Sequence, residues 1–443
     1  MQFNSTPFLF LFLPVFLALY YLLPAHRRTP LLILGSFVFY AFSCSGQYWT
    51  LLLLLGAVVL SYGAGLVFEL RKDRSLLAAT LGLFGLTLIF LKVFAGGKYL
   101  PAGASFFLFQ VSAYTVAVYR DKAPCERSFS AYCAQTVMFP KLLSGPLMDP
   151  KELSTQHRQA KPDGKNLHDG LQLLIIGLGL KVLLANRLGG LWAQPAVLGY
   201  ENISTAAAWL SIVGYTMQLY FDFFGYSLMA IGIGKMLGYD LPANFRDPYA
   251  SKTVSEFYRR WHITLGAWFR ENVYFPLGGS RGGTGKTIFN LAVVWAFTGL
   301  WHGVGGNYML WAGYLLFFII LEKLFLGKIL NKSRILCHLY LVPVIVISWI
   351  PFAIGDFRQM ILFCGRLFCV GGNLCSALDF GEWIRMYAWL LSAGTFLMTP
   401  LPGKIFHRIR GKLWTDIVLL VIFWLVVYFI STAAQDPFMY FQY

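Results

Sequence analysis

Charged side chains are scarce in this sequence. Asp, Glu, Lys and Arg make up 13% of the 443 residues, and 57% of the residues are hydrophobic. A soluble domain carries about 25% charged residues, so the composition excludes an ordinary soluble protein. Apolar runs recur along the chain, and several reach the roughly 17–25 residues with which a helix spans a bilayer. The sequence therefore predicts an all-α, polytopic integral membrane protein.

Acidic residues are fewer than basic ones, with 20 Asp and Glu against 36 Lys and Arg and a net charge of +16. The basic residues are scattered through short loops between apolar runs, which argues against a nucleic-acid-binding surface. Loops rich in Lys and Arg usually face the cytoplasm. This rule places residues 26–28, 71–74, 120–127 and 404–412 in the cytoplasm. It also predicts that the N-terminus and residues 436–443 lie outside.

Cysteine is too sparse to build a disulfide framework or a metal site. The chain has seven cysteines, an odd number, and most of them stand in apolar surroundings. Cys364, Cys369 and Cys375 lie close together in sequence, but no CxxC pair or neighbouring histidine completes a set of ligands. We therefore predict packing cysteines and no bound metal.

No linker, low-complexity tract or internal repeat divides the chain, so we predict one membrane domain over residues 1–443. Hydrophobic windows give roughly ten to twelve crossings. The first apolar run, residues 8–23, lacks a basic n-region and a cleavage site, and we predict a first span rather than a signal peptide. The shorter apolar runs must belong to broken, tilted or re-entrant helices.

One segment, residues 255–281, is dense in both charge and aromatic rings (SEFYRRWHITLGAWFRENVYFPLGGSR). Its apolar residues recur at three- and four-residue steps, which predicts one amphipathic helix at the membrane interface. Arg259, Arg260 and Arg270 lie away from the apolar stripe, and His262 lies at its edge. The stripe consists of Val254, Phe257, Trp261, Leu265 and Trp268.

A second histidine, His302, ends an apolar run and precedes the glycine-rich turn GVGG. Non-helical backbone at membrane depth is tolerated where it is buried in protein or lines a cavity. An ionisable group in that setting is a functional-site hypothesis, set against the alternative of a histidine satisfied by one structural hydrogen bond. A buried imidazole stays neutral and can accept a proton from a hydroxyl group. We therefore predict His302 as a site residue.

Asp222, in QLYFDFFGYS, is the other conspicuous ionisable residue within an apolar run. Its carboxylate could orient a histidine or bind a substrate hydroxyl group. It could equally be a structural acceptor for amides at a helix end. Both interpretations stay open at the level of the residues.

Eight motifs, in order along nearly the whole chain, make the sequence resemble the membrane-bound O-acyltransferase family, in its bacterial alginate O-acetyltransferase-like branch. The most specific feature is the RRWH…PLGGSR block followed by WHG. Each motif alone is a weak signal, whereas eight in order are not. They are FNSTPFLFLFLPVFLALYYLL, LPAGASFFLFQVSAYTVAVYR, MFPKLLSGPL, GLGLKVLLANRL, YFDFFGYSLMAIGIG, NFRDPYASKTVSEFYRRWHITLGAWFRENVYFPLGGSR, LWHGVGGNYMLWAGY and PFMYFQY.

The resemblance implies a ring of tilted and broken transmembrane helices around a central tunnel that joins the cytosol to the exterior, with interfacial and re-entrant helices. It implies an essential catalytic histidine in the WHG motif, here His302, and a second site histidine in the RRWH motif, here His262. We expect His302 to act as general base or to carry the acyl group transiently, and His262 to assist proton handling or donor binding. Trp301 and Trp261 precede these histidines and are predicted to contribute to donor binding.

Two positions depart from the pattern of the family. Phe224 and Leu228 stand where the YFDFSGYSDMAIG-like stretch has a serine and an aspartate. The departure weakens a catalytic role for Asp222, which we keep as a candidate for substrate binding. It does not touch His262 or His302.

The resemblance also implies an activity. Members of this branch pass an acyl group from a cytoplasmic thioester to an extracytoplasmic acceptor, often through a separate extracytoplasmic acyltransferase. We therefore expect O-acetyl transfer to an exported polysaccharide in the bacterial cytoplasmic membrane, with acetyl-CoA as donor and no tightly bound cofactor. Arg259, Arg260 and Arg270 would bind the donor phosphates; the alternative is that they anchor a helix to anionic membrane lipid.

Two other functions compete with this expectation. One is D-alanyl transfer from a carrier protein to teichoic acid, which keeps the fold and changes the donor. The other is a transporter or channel, because broken spans and intramembrane ionisable residues also suit a conduction path. The absence of an internal repeat and of a ladder of acidic residues argues against transport.

Overall fold

The computed structural model describes residues 1–44, 46–93, 101–330 and 332–432. Within these ranges the chain is helical, and the only extended pairing is a single antiparallel bridge between Phe245 and Trp261. The predicted all-α class is therefore confirmed. The tail at residues 436–443, predicted to lie outside, falls beyond the described residues.

The first part of the chain forms helices that pack side by side around a core rich in phenylalanine. Pro24 directly precedes α2 and Gly103 directly precedes α5, because neither residue continues a preceding helix well. The helices are α1 (Leu13–Leu22), α2 (Ala25–Ser43), α3 (Trp49–Leu70), α4 (Arg74–Val93), α5 (Ala104–Tyr119), α6 (Phe129–Val137), α7 (Phe139–Leu142) and α8 (Pro150–Gln159).

Most of the remaining helices surround a second core, rich in tryptophan and phenylalanine. Those of the middle of the chain are α9 (Gly164–Gly179), α10 (Asn186–Leu198), α11 (Thr205–Met236), α12 (Val254–Arg260), α13 (Ile263–Phe269), α14 (Gly283–His302), α15 (Gly306–Leu321) and α16 (Gly327–Leu330). Those of the last part are α17 (Arg334–Ser348), α18 (Ile350–Ala353), α19 (Phe357–Leu367), α20 (Glu382–Leu397), α21 (Leu401–Ile409) and α22 (Leu413–Thr432).

Wider helical turns of the π type join or extend several of these helices. In such a turn the backbone hydrogen bonds join residues five apart instead of four, which widens the helix locally. Such turns are frequent at functional sites. The turns are Phe8–Phe12, Leu180–Ala185, Arg270–Tyr274, Glu322–Leu326 and Ala377–Gly381. The second of them makes α9 and α10 one continuous helical stretch, Gly164–Leu198.

Six helical stretches of the described chain are long and apolar enough to cross a membrane. The predicted number of roughly ten to twelve crossings is higher, because some apolar runs fold into shorter helices such as Phe8–Leu22 and Ala104–Tyr119. A polytopic membrane protein is confirmed. The six are Trp49–Leu70, Arg74–Val93, Gly164–Leu198, Gly306–Leu330, Arg334–Ala353 and Leu413–Thr432.

Two of the four basic loops, residues 71–74 and 120–127, contact each other. Lys72 in the second basic loop pairs with Asp121 in the third, with 2.7 Å between Nζ and Oδ1. Lys122 in the third loop pairs with Glu271 at 2.9 Å. Glu271 directly follows Arg270, so the charged segment described below lies on the same side as these loops. The shared side agrees with the pattern of basic loops, and its cytoplasmic orientation stays a prediction.

Helices α9 and α11 touch through their backbones. A Cβ atom added to Gly177 would lie 2.5 Å from the carbonyl oxygen of Gly225, and one added to Gly225 would lie 2.7 Å from that of Gly177. Gly170 and Gly232 repeat the same reciprocal contact two turns away, at 2.5 and 2.6 Å. Small residues at a helix crossing in a membrane allow close approach and strong van der Waals packing. These two glycine pairs fix α11 against α9.

We expect Gly225→Ala to destabilise the protein, because the added methyl group would meet backbone atoms that cannot rotate away. Overpacking of this kind costs about 1–3 kcal/mol. The measurement is the thermal unfolding midpoint of the purified protein in detergent, which should fall. Gly82→Ala in α4 is the matched control, since a Cβ atom there meets nothing within 4 Å. An unchanged midpoint for Gly225→Ala would contradict the close packing.

Candidate active site

The basic segment is not one continuous helix. It forms two short helices, α12 and α13, and the chain breaks between them at Trp261 and His262. Trp261 is extended, and His262 has a φ of 47° and a ψ of 53°. This left-handed conformation is uncommon for a residue other than glycine. The prediction of a single interfacial helix is therefore wrong at this point, although the helical periodicity holds on either side of it.

A neighbouring segment supplies the hydrogen bonds that the break removes. The N–H group of Arg246 donates to the carbonyl oxygen of Arg260 at 3.0 Å, and that of Ile263 donates to the carbonyl oxygen of Asn244 at 2.9 Å. The Thr264 hydroxyl group donates to the Asn244 Oδ1 atom at 2.6 Å. Buried backbone polar groups need such partners, so residues 244–246 hold the break in place.

The break turns His262 into the protein interior, where it is 4% exposed. Its ring centroid lies 4.7 Å from that of Phe223 on α11 and 6.3 Å from that of Phe106 on α5. His262 was predicted at the edge of the apolar region. The structure buries it instead, because aromatic side chains from two other helices pack over the break.

His302 ends α14 and is also buried, at 7% exposure. Its ring packs against Trp311 on α15, with centroids 4.9 Å apart, and against Phe352 on α18, with centroids 4.8 Å apart. The Trp349 ring packs against both of these rings, with its centroid 6.3 Å from that of Trp311 and 5.7 Å from that of Phe352. Burial among apolar rings disfavours the charged imidazolium, so His302 is held as a neutral imidazole.

A cavity of about 640 Å³ connects the two histidines with the charged surface of the segment. His262 and His302 line it, and so do Arg259, Arg270 and Lys323, whose side chains are exposed. Within the described residues these three cations make no ion pair and no side-chain hydrogen bond. The cavity therefore has two buried imidazoles and three cations that are available to an anion.

The structure brings most of the predicted site residues to this cavity. His302, His262, Trp261, Arg259 and Arg270 all line it. The other three predicted residues, Arg260, Trp301 and Asp222, do not.

Arg260 turns away from the cavity and pairs with Glu256 one helical turn earlier, with 2.6 Å between Nη2 and Oε1. Trp301 does not line the cavity. It packs beside the site, with its ring centroid 6.0 Å from that of His262. The structure thus gives Arg260 and Trp301 structural contacts, and their predicted roles in donor binding stay predictions.

Asp222 is buried in a salt bridge with Lys181, which lies in the π-helical turn between α9 and α10. Both side chains are 2% exposed. A buried carboxylate needs such a partner, because an unpaired charge in an apolar interior is costly. Asp222 thus has a structural partner other than the helix-end amides considered above, and its predicted role in substrate binding stays a prediction. Phe223 beside it contacts His262.

Two site residues escaped the sequence analysis, Glu322 and Lys323. The Glu322 carboxylate accepts hydrogen bonds from the N–H groups of Val254 and Ser255 at the start of α12 and from the Tyr340 hydroxyl group. It anchors α12 to α15 and α17, while Lys323 adds a cation to the cavity. No motif marks them, although two charged residues at the end of an apolar run are a weak local signal.

The described side chains do not assemble into a set of metal ligands. In residues 1–44, 46–93, 101–330 and 332–432, no group of three or more His, Cys, Asp or Glu side chains could hold a metal ion. The chemistry available to the described site is proton transfer by a neutral imidazole and anion binding by Arg and Lys.

Several known proteins are similar in sequence to this chain. The profile of the membrane-bound O-acyltransferase family matches residues 127–345, which include both histidines. A probable alginate O-acetylase AlgI of Pseudomonas putida is 30% identical over 495 residues, covering 100% of both chains. Its counterpart in Pseudomonas aeruginosa is 35% identical over 386 residues, 80% of this chain and 72% of the relative. The peptidoglycan O-acetyltransferase of Helicobacter pylori is 32% identical over 364 residues, 70% of this chain and 68% of the relative.

The burial of His262 predicts a pH-dependent stability. His262 lies outside the six candidate spans, and burial lowers the pKa of its imidazole from 6.5 to about 3. Between these values the unfolded chain binds a proton that the folded protein excludes. The folded state is therefore favoured above the unfolded pKa and loses stability as the pH falls toward 3, by up to about 1.4 kcal/mol per pH unit.

The measurement is the thermal unfolding midpoint in detergent at about pH 5 and about pH 7, on either side of the ordinary histidine pKa. The midpoint of His262→Gln should change less between the two conditions than that of the natural protein. His407→Gln is the control, because His407 is exposed and should leave the pH dependence unchanged. Equal pH dependence in the natural protein and His262→Gln would refute the assignment.

Proposed function

Because this chain belongs to the membrane-bound O-acyltransferase family and is therefore an O-acyltransferase, we propose that it carries an acetyl group from a cytoplasmic thioester across the membrane for O-acetylation of an exported polysaccharide. The observation that carries the proposal is the cavity. It joins three exposed cations, Arg259, Arg270 and Lys323, to two buried histidines. A donor with a phosphorylated end and a thioester end matches this division.

The donor we propose is acetyl-CoA, bound as a substrate rather than as a resident cofactor. Coenzyme A carries several phosphate groups, and guanidinium groups bind phosphate through paired, charge-assisted hydrogen bonds. The phosphopantetheine arm of a carrier protein carries a single phosphodiester. Three cations at one cavity suit the greater charge of coenzyme A and make D-alanyl transfer from a carrier protein the second candidate.

The donor would reach the cavity from the cytoplasm. Arg270 precedes Glu271, which pairs with Lys122 in a basic loop at 2.9 Å. Basic loops usually face the cytoplasm, which supports a cytoplasmic position for the cations and an external N-terminus. The protein would then lie in the bacterial cytoplasmic membrane, in contact with lipid along its spans.

The other end of the cavity favours a small acyl group. Trp311, Trp349 and Phe352 line it and pack around His302. These rings are bulky and close-packed, and an interior packed in this way tolerates added volume poorly. An acetyl group needs little room beside the imidazole, whereas a long acyl chain would need the rings to move.

His302 would act as the general base. Its neutral imidazole accepts the proton of an acceptor hydroxyl group while the hydroxyl oxygen attacks the thioester carbonyl carbon. The C–O bond forms, the C–S bond breaks, and the leaving thiolate takes a proton from the imidazolium. His262 lines the same cavity and would assist donor binding or proton transfer.

The final acceptor would be an exported polysaccharide. The relatives named above act on alginate or peptidoglycan according to their names, and both acceptors lie outside the cytoplasmic membrane. We propose that an extracytoplasmic acyltransferase completes the transfer to the glycan. Flux of a small molecule across liposomes that contain the protein, measured without an acyl donor, would instead support the transporter or channel alternative.

We expect His302→Ala to abolish acetyl transfer, because a general base contributes about 10²- to 10⁴-fold to a rate. The assay adds labelled acetyl-CoA to inside-out membrane vesicles and measures label in polysaccharide. His338→Ala is the control, since His338 is exposed and does not line the cavity. Normal labelling of the polysaccharide by a correctly inserted His302→Ala protein would contradict the proposal.

We expect Lys323→Ala to raise the KM for acetyl-CoA about tenfold, as expected for a lost hydrogen bond to a charged group. The effect should shrink at high salt, because an exposed charge is screened. KM is measured as free thiol release by purified protein. Lys328→Ala is the matched control, an exposed lysine one turn further that does not line the cavity. Equal KM values for the two variants would contradict phosphate binding at this surface, and a response to a carrier protein alone would favour D-alanyl transfer.

A further inference from the structure

A lysine from a peripheral helix reaches the end of the helix that carries His302. Lys92 lies in the last turn of α4, an apolar span with only 22% of its most hydrophobic window buried inside the protein. Its Nζ atom donates to the backbone carbonyl oxygen of Trp301, the residue before His302. It also lies 5.9 Å from the centre of the Trp301 ring. A lysine that turns inward from a lipid-facing span is costly and requires an explanation.

Lys92 binds the backbone at the C-terminal end of α14. His302 is the last residue of α14, and Gly303 continues as extended chain rather than helix. The carbonyl groups in the last turn of a helix have no partner within the helix, and a cation there interacts favourably with the helix dipole. Lys92 therefore satisfies the helix end that presents His302.

The same contact connects Lys92 with both histidines. The Trp301 ring lies 4.5 Å from the His302 ring and 6.0 Å from the His262 ring, between centroids. Burial is the main reason why His302 stays neutral, and the nearby Lys92 ammonium group adds to this effect. A positive charge on the His302 imidazole is disfavoured beside the positively charged Lys92.

We propose that Lys92 is a positioning residue for acyl transfer: it anchors the end of α14, fixes the His302 imidazole in the cavity and, by its charge, keeps that imidazole neutral and able to accept a proton. The inference rests on the proposed function of His302 as general base. It adds a residue on α4 that lies outside the cavity wall and outside both histidine motifs.

Three substitutions separate the parts of this role. Lys92→Arg keeps the charge and the hydrogen bond, Lys92→Gln keeps a donor without charge, and Lys92→Met removes both. We expect Lys92→Met to lower kcat about tenfold or more, as for a lost hydrogen bond from a charged group. The KM for acetyl-CoA should stay the same, because the phosphate-binding cations lie elsewhere. Lys92→Arg should restore most of kcat.

The pH profile tests the charge. Without the cation, His302 protonates more readily, so the acid side of the kcat profile should move to higher pH in Lys92→Gln and Lys92→Met and stay in place in Lys92→Arg. Other titratable or charged groups around His302 are unchanged in these variants. They are His262 from the turn between α12 and α13, Tyr308 from α15, and Tyr258, Arg259, Arg270, Tyr274, Glu322 and Lys323 on the cavity wall.

Arg187→Met is the control. Arg187 also places a cation over an aromatic ring, with its Cζ atom 4.6 Å from the centre of Phe429, but it does not line the cavity. It should keep the natural kcat and pH profile. A merely structural role for Lys92 would lower the yield of folded protein without moving the acid side of the profile.

The proposal is overturned if folded Lys92→Met keeps the natural kcat, or if Lys92→Gln keeps the natural acid limb. If Lys92→Met does not fold, the Lys92→Gln profile decides alone. If the natural protein transfers no acyl group at all, the proposed function fails instead. Modification of His302 by diethyl pyrocarbonate, followed by mass spectrometry across pH, then still reports whether Lys92→Gln raises the pH at which His302 protonates.

Discussion

The site depends on a pairing of backbone groups around a break in a helix. A chain that leaves the helical path inside a membrane protein must find new partners for its N–H and C=O groups. Residues 244–246 supply them to Arg260 and Ile263. With these bonds made, His262 can take a left-handed conformation and point inward. The histidine, the cations of α12 and the shape of the cavity all follow from that arrangement.

The sequence predicts the class of the protein and its two histidines, because both depend on composition and on local motifs. It does not predict the break at His262, since the three- and four-residue spacing of apolar side chains continues through Trp261 to Leu265. Only a long-range pairing distinguishes one helix from two. Arg260 carried a local signal, an acidic residue four positions earlier, whereas Lys323 reaches the cavity from another part of the chain.

Charge and aromatic packing divide the site between them. The exposed cations lie beside the basic loops that contact one another through ion pairs. The histidines lie among tryptophan and phenylalanine rings, where a charged imidazole is disfavoured. A single cavity therefore offers an anion one environment and a neutral reacting group another, without any metal ligand set in the described residues.

The glycine contacts between α9 and α11 limit how far α11 can move when a substrate binds. Where two backbones touch through Gly177 and Gly225, no rotamer change relieves compression, so α11 is a fixed reference. Phe223 on that helix holds one side of His262. Room for a larger substrate group is then easier to gain at the long, exposed side chains of Arg259, Arg270 and Lys323 than on the α11 side of His262.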